Sequence, residues 1–169
     1  MKVFVLMGVS GCGKSAVAAQ LAQELNAAFL DGDFLHPRAN IEKMASGQPL
    51  NDDDRAPWLA AINDAAFAMQ RTNPVSIIVC SALKKAYRDR LRLGNPALCF
   101  LFLQGEQALI AQRLAARQGH FQKGNMLQSQ FAALEVPSSD EADVFALDIT
   151  PPLGDVVAAA KRIILSQEA

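Results

Sequence analysis

Gly8-Val9-Ser10-Gly11-Cys12-Gly13-Lys14-Ser15 is the stretch that decides the fold. It matches G-x-x-x-x-G-K-[ST], the phosphate-binding loop, at every fixed position. The flanks agree with it. Val3-Phe4-Val5-Leu6-Met7 is a short apolar run, as expected of a buried parallel strand. Val17, Leu21, Ala22 and Leu25 then recur at helical spacing. Strand, glycine loop and helix together predict a site for a polyphosphate. Glycines 8, 11 and 13 let the backbone turn its N–H groups inward as a nest for anions. A helix starting near Lys14 adds the positive end of its dipole. Lys14 can reach the β- and γ-phosphates, and the Ser15 hydroxyl can ligate Mg²⁺.

Further along, apolar runs alternate with helical patterns. Ala28-Phe29-Leu30, Val75 to Cys80, Leu98 to Leu103 and Val144 to Ile149 read as strands. Leu59, Ile62, Ala66 and Met69 keep helical spacing, as do Leu109, Ile110, Arg113 and Leu114, and then Val156, Val157, Ala160, Ile163 and Ile164. Such alternation predicts an α/β fold of three layers, a central parallel sheet with helices on both faces. Ligands then collect at the C-terminal edge of the strands. The 169 residues suit a single domain, 1–169, with a core of its own.

Two segments break the alternation. One runs from Asp31 to Trp58 and is dense in polar residues and prolines. The other, Gln118 to Ser129, is rich in glutamine and glycine and has little apolar period; it is expected to act as a mobile lid over about 118–129.

Bulk properties exclude other classes. A formal net charge of −1 gives no broad footprint for nucleic acid or an anionic membrane. No apolar run approaches membrane-spanning length, and the phosphate loop starts too early to leave room for a secretory leader. Cys12, Cys80 and Cys99 form no C-x-x-C pair; Cys80 and Cys99 read as buried core thiols. The expected compartment is the reducing cytoplasm.

The rest of the site is read from charge and position. Asp31-Gly32-Asp33 directly follows the second strand, which brings two carboxylates to the edge that carries the phosphate loop. One carboxylate can hold Mg²⁺, usually through water. The other can take the proton of an attacking hydroxyl. Asp52-Asp53-Asp54 reads as a helix N-terminal cap in front of Pro57-Trp58 rather than as a metal cage. Arg55, Lys84 and Arg88 could form a small cationic pocket, Lys84 and Arg88 being four apart and so on one helix face. Arg113 and Arg117, also four apart, lie at the foot of the expected lid, where they could neutralise phosphate charge.

Taken together, these segments resemble the gluconate kinases. The likeness rests on the phosphate loop, Asp31-Gly32-Asp33-Phe34-Leu35-His36-Pro37, Asn40 with Lys43-Met44, Gly47, Pro49-Leu50, Asp52 to Arg55 and Pro57-Trp58-Leu59. It continues through Cys80-Ser81-Ala82-Leu83-Lys84, Tyr87-Arg88-Asp89, Arg117 to Phe121 and Ser129-Gln130-Phe131 with Leu134-Glu135 and Pro137.

The resemblance implies an ATP-dependent kinase that converts D-gluconate to 6-phospho-D-gluconate, usually as a homodimer. Gly8 to Ser15 would bind the nucleotide with Arg113 and Arg117. Lys14, Asp33 and Arg117 would be catalytic, and Ser15 and Asp31 would serve Mg²⁺. Asp33, His36, Arg55, Lys84, Arg88 and Gln130 would meet gluconate. Cys12 stands where the family often carries serine, at a position that supplies backbone geometry. The competing reading is a related kinase of another sugar acid or a shikimate-like acceptor. A GTP-driven switch would need an N-K-x-D motif, which is absent.

Overall fold

The computed structural model describes residues 1–116 and 124–167. Five strands form one parallel sheet: β1 Lys2–Met7, β2 Ala28–Asp31, β3 Val75–Val79, β4 Leu98–Gln104 and β5 Val144–Asp148, in the order β2-β3-β1-β4-β5. The helices are α1 Lys14–Leu25, α2 Arg38–Ala45, α3 Asp52–Thr72, α4 Lys85–Arg92, α5 Gln107–Ala115, α6 Gly124–Ala133 and α7 Leu153–Gln167. A short 3-10 turn, Gly32–Leu35, follows β2. The five expected strands are present, each within a residue or so of its expected bounds.

The period-2 geometry of β1 splits its side chains between two cores. Phe4 and Leu6 pack with α1, α5 and α7 through Val17, Leu21, Ile110, Val157 and Ile164. Val3, Val5 and Met7 pack with α3 and α4 through Trp58, Ile62, Tyr87 and Leu91. The sheet is therefore sealed on both faces, the three-layer arrangement expected of continuous apolar strands.

The polar stretch from Asp31 to Trp58 is more regular than its composition suggests. It holds the 3-10 turn, α2 and the first two turns of α3. The cap of α3 is Asn51, not the acidic run. Asn51 Oδ1 accepts from Asp54 N at 2.8 Å, and Asp54 Oδ2 accepts from Asn51 N at 2.9 Å, a reciprocal capping box. Asp52, Asp53 and Asp54 occupy the first turn, where the helix dipole favours negative charge. Pro57 lies inside α3 rather than at its start.

The structure describes only the second half of the expected lid over 118–129. Residues 124–129 belong to α6, which docks on the core through Leu127, with Phe131 and Leu134 packed beside it. Residues 118–123 lie outside the described part of the chain, as does Arg117. Among the described residues, no helix is long and apolar enough to cross a membrane.

Candidate active site

The topology lines up three groups along the carboxyl edge of the sheet. Asp31 and Asp33 leave β2, the phosphate loop leaves β1 between β3 and β4, and Arg113 reaches the end of β5.

The loop itself is held from below. Gly8 N donates to Ser81 O at 3.1 Å, tying the start of the loop to the exit of β3. Gly13 caps α1 in the left-handed region (φ 99), which a side chain would disfavour. Lys14 folds back on its own loop. Its ammonium donates to Gly8 O at 2.8 Å and Val9 O at 3.0 Å. Two backbone carbonyls thus hold the charge until stronger acceptors arrive. Ser15 is exposed at the first turn of α1, free to meet a ligand. Cys12 is buried, and burial pushes its thiol pKa up, so it is no nucleophile. Burial likewise pushes the Cys80 thiol up to about 12.

The turn after β2 is built for close approach. A Cβ on Gly32 would sit 2.5 Å from Val79 O, so only glycine lets the turn lie against β3. Asp31 Oδ1 accepts from Asp33 N at 3.0 Å and so caps the turn that follows β2. Asp33 is exposed to solvent on one side but crowded by protein on the other. That partial loss of water raises its pKa, and the neighbouring Asp31 raises it further. His36 and Lys14 act in the opposite sense, so Asp33 and the loop lysine feel each other's charge.

Near Asp33 stands a cluster of cations and aromatics. His36 stacks on Trp58 with ring centroids 4.2 Å apart and planes within 12°. Trp58 Nε1 donates to Gly32 O at 2.8 Å, which ties the aromatic pair to the Asp-Gly-Asp turn. Arg55 and Lys84 both lie over the Tyr87 ring, at 5.7 and 5.6 Å from its centroid. The Tyr87 hydroxyl donates to Asp52, and Lys84 lies 3.5 Å from the same carboxylate. The tyrosine hydroxyl, then Lys84 and Arg55, hold the Asp52 pKa below its ordinary value. Arg55 and Lys84 thereby present two cations around one aromatic ring.

Arg88 does not join them. It is fully buried, so it does not share with Lys84 the helix face expected to line a cationic pocket. Lys84 is the N-cap of α4, outside the helix, while Arg88 points inward. All five of its N–H donors are used. Two go to Glu141, at 2.7 and 2.8 Å; the rest go to the carbonyls of Ala82, Leu83 and Glu135. A guanidinium with no free donor cannot hold a substrate. Its work is to hold the β3–α4 loop, where Ala82 has a positive φ of 45 and Lys84 is displayed.

Gln130, expected to meet gluconate, bonds to the phosphate loop. Its amide is bonded at both ends to Ser10, accepting from Ser10 N at 2.6 Å and donating to Ser10 Oγ at 2.9 Å. Arg113 donates to Ile149 O at 2.6 Å and Thr150 O at 3.0 Å, which places a flat cation at the β5 end of the edge. A separate cavity of about 150 Å³ lies between the end of β4 and α6. It is lined by Val9, Phe102, Ile110, Phe131, Leu134 and other residues without charge, so it is not where phosphate moves.

Sequence reading missed Tyr87, Asp52 and Glu141 as parts of this architecture. Tyr87 lay in a motif already quoted, so its neighbourhood was legible. Glu141 gave no signal, because its partner is 53 residues away.

Residues 3–137 match a protein family described as "AAA domain". The thermoresistant gluconokinase of Escherichia coli (strain K12) is 65% identical over 162 residues, 96% of this chain and 93% of that protein. The thermosensitive gluconokinase of the same organism is 46% identical over 163 residues, 96% of this chain and 87% of that protein. Among solved structures, a gluconokinase from Sinorhizobium meliloti 1021 superposes with a TM-score of 0.83 at 39% identity, covering 99% of this chain and 98% of its own. With identity this high across nearly the whole length, and with a phosphate loop beside an Asp-Gly-Asp turn, the chain belongs to the gluconokinase family of P-loop kinases.

Proposed function

We propose that the protein transfers the γ-phosphoryl group of ATP to the terminal hydroxyl of D-gluconate, giving 6-phospho-D-gluconate and ADP. The observation that carries this is the neighbourhood of Asp33 and Lys14 at one sheet edge, with a cationic pocket opening beside the carboxylate. Gluconate is an anion with a chain of hydroxyls. Arg55 and Lys84 suit its carboxylate, and His36 suits a hydroxyl. The competing acceptors, another sugar acid or a shikimate-like ring, have no feature of the pocket that favours them over gluconate.

In this reading the acceptor hydroxyl lies between Asp33 and the phosphate loop. Its oxygen attacks the γ-phosphorus, and the bond to the β–γ bridging oxygen breaks. Asp33 takes the hydroxyl proton; a raised pKa makes it a better base for that transfer. Lys14 leaves the Gly8 and Val9 carbonyls for the β- and γ-oxygens, where charge accumulates. Arg113 lies on the nucleotide side, at the β5 end. Arg117 is assigned to the same charge by the family likeness alone.

Mg²⁺ fits the donor set at hand. No group of three or more His, Cys, Asp or Glu able to hold a metal occurs among the described residues. That suits a hard cation bound mainly to phosphate oxygens and water, with the Ser15 hydroxyl and Asp31 completing its surroundings. When bound, it supplies neutralisation of charge on the transferring phosphoryl group. A cytoplasmic homodimer is the accompanying reading of the assembly.

Coupled ADP release, run with ATP and Mg²⁺ against a panel of aldonic acids, sugars and shikimate, tests the proposal. Gluconate-dependent turnover is expected; its absence with a folded protein would sink it.

A further inference from the structure

Asn40, in α2, is 3% exposed and spends its amide on two neighbours. Asn40 Nδ2 donates to Asp54 O at 2.8 Å and lies 3.2 Å from His36 Nδ1. A backbone carbonyl can only accept, so Asp54 O fixes which end of the amide is nitrogen. The swapped amide would set two oxygens against each other. The second hydrogen of the same nitrogen then points at His36 Nδ1, which must receive it with a lone pair. A proton on Nδ1 would put two donors face to face. The ring cannot escape this by tilting, because it is stacked on Trp58 and Trp58 is anchored to Gly32 O. Among the described residues, His36 Nε2 has no hydrogen-bond partner.

We propose that Asn40 is a positioning residue that locks His36 in the neutral tautomer with its proton on Nε2, so that His36 offers the acceptor substrate a hydrogen-bond donor and not a charge. The consequence for gluconate rests on the function proposed above; the tautomer does not. Charge facing the ring comes from several elements. Asp33, in the 3-10 turn, favours a cationic ring, while Arg55, in α3, opposes it. The Asp54 carboxylate is engaged by Lys43 and the Asn51 N–H rather than by His36. Loss of water at the stacked ring also lowers its pKa. A neutral donor makes chemical sense here. A third cation beside Arg55 and Lys84 would bind the carboxylate in competing registers, whereas a single N–H orients one hydroxyl.

The test is nitrogen-detected NMR of the histidine rings in the intact chain. Only His36 and His120 are present, and His120→Gln identifies the signals. Across neutral pH, His36 Nδ1 is expected to resonate as an unprotonated ring nitrogen and Nε2 as a protonated one. A proton on Nδ1, or an exchanging mixture of tautomers in the wild-type protein, overturns the proposal. Asn40→Asp replaces the donor with an acceptor. It should move the proton to Nδ1, raise the His36 pKa by bringing a negative charge to the ring, and raise the gluconate KM several-fold with the ATP KM unchanged. Asn40→Ser, a smaller change, should release the lock and give mixed tautomers. A His36 spectrum unmoved by both variants refutes the role of Asn40. The spectra need no substrate, so a failure to phosphorylate gluconate would leave the tautomer result standing.

Discussion

Gln130 grips Ser10 at both ends of one amide, its oxygen on the loop N–H at 2.6 Å and its nitrogen on the hydroxyl at 2.9 Å. The two residues are 120 apart in sequence. The pair fastens α6 to the phosphate loop. Gln130→Ala should loosen α6, costing about 1–3 kcal/mol for two lost hydrogen bonds and faster amide exchange over 126–133. Gln130→Glu can still accept from Ser10 N but brings negative charge to a loop built for phosphates. The ATP KM should then rise by about tenfold, with the gluconate KM little changed. Steady-state kinetics with each substrate varied in turn checks this; equal effects on both would place Gln130 with the acceptor after all.

Lys14→Ala should abolish most turnover without unfolding the chain. The variant gives up the lysine's bonds to Gly8 O and Val9 O, but the Gly8–Ser81 bond and the backbone of α1 still hold the loop. Losing a charge that acts on the transferring phosphoryl group should cost about 3–4 kcal/mol of transition-state stabilisation. Near-normal kcat in a folded variant would remove Lys14 from the chemistry.

Asp33 links activity and stability with opposite signs. Its folded-state pKa lies above the ordinary 3.8, so the folded state holds the proton more tightly than the unfolded chain. Stability contributed by this group is therefore greatest in acid and falls as pH rises through that raised value. At neutral pH the ionised carboxylate is a net cost. Asp33→Asn should lower kcat by about 10²–10⁴-fold while leaving ATP binding intact, and should raise Tm at pH 7 relative to wild type. The wild-type rate should fall on the acid side around a pKa above 3.8. A variant that loses both turnover and Tm would mean Asp33 is a structural residue.

What the sequence disclosed, and what it hid, divides by range. The phosphate loop and the five strands are written in contiguous residues, where apolar period and glycine spacing are local signals. The Asp31–Asp33 turn is equally local. The spacing of Lys84 and Arg88 puts them on one helix face but does not say which face is buried. The decisive partner, Glu141, lies in a polar stretch with no pattern to mark it. The bond of Gln130 to Ser10 is hidden for the same reason: the two are 120 residues apart in sequence. The regular structure between Arg38 and Pro57 was hidden because α2 buries only Asn40, leaving no apolar stripe to read.

The last prediction separates Lys84 from Arg88, neighbours in sequence with opposite duties. Arg88 and Glu141 are buried together, at 1% and 3% side-chain exposure. Arg92 joins the same carboxylate at 2.8 Å. Arg88→Met removes one partner of a buried pair and leaves Glu141 with less compensation. It should cost about 3–5 kcal/mol of stability and release the strained Ala82 loop. Arg88 and then Arg92 lower the Glu141 pKa below its ordinary 4.5. The stability it contributes is therefore fully present above pH 4.5 and is lost as pH falls through the depressed value. Acid unfolding of Glu141→Gln should accordingly be less steep with pH than that of wild type, from a lower starting stability. Lys84→Ala, by contrast, removes a half-buried residue at the start of α4 and should leave stability within about 0.5 kcal/mol of wild type. Its effect should fall on gluconate, as a raised KM with a nearly unchanged ATP KM. Melting curves and two-substrate kinetics on both variants decide the matter. A stable Arg88→Met protein with impaired gluconate binding would return Arg88 to the substrate pocket, and a destabilised Lys84→Ala protein with normal KM would take Lys84 out of it.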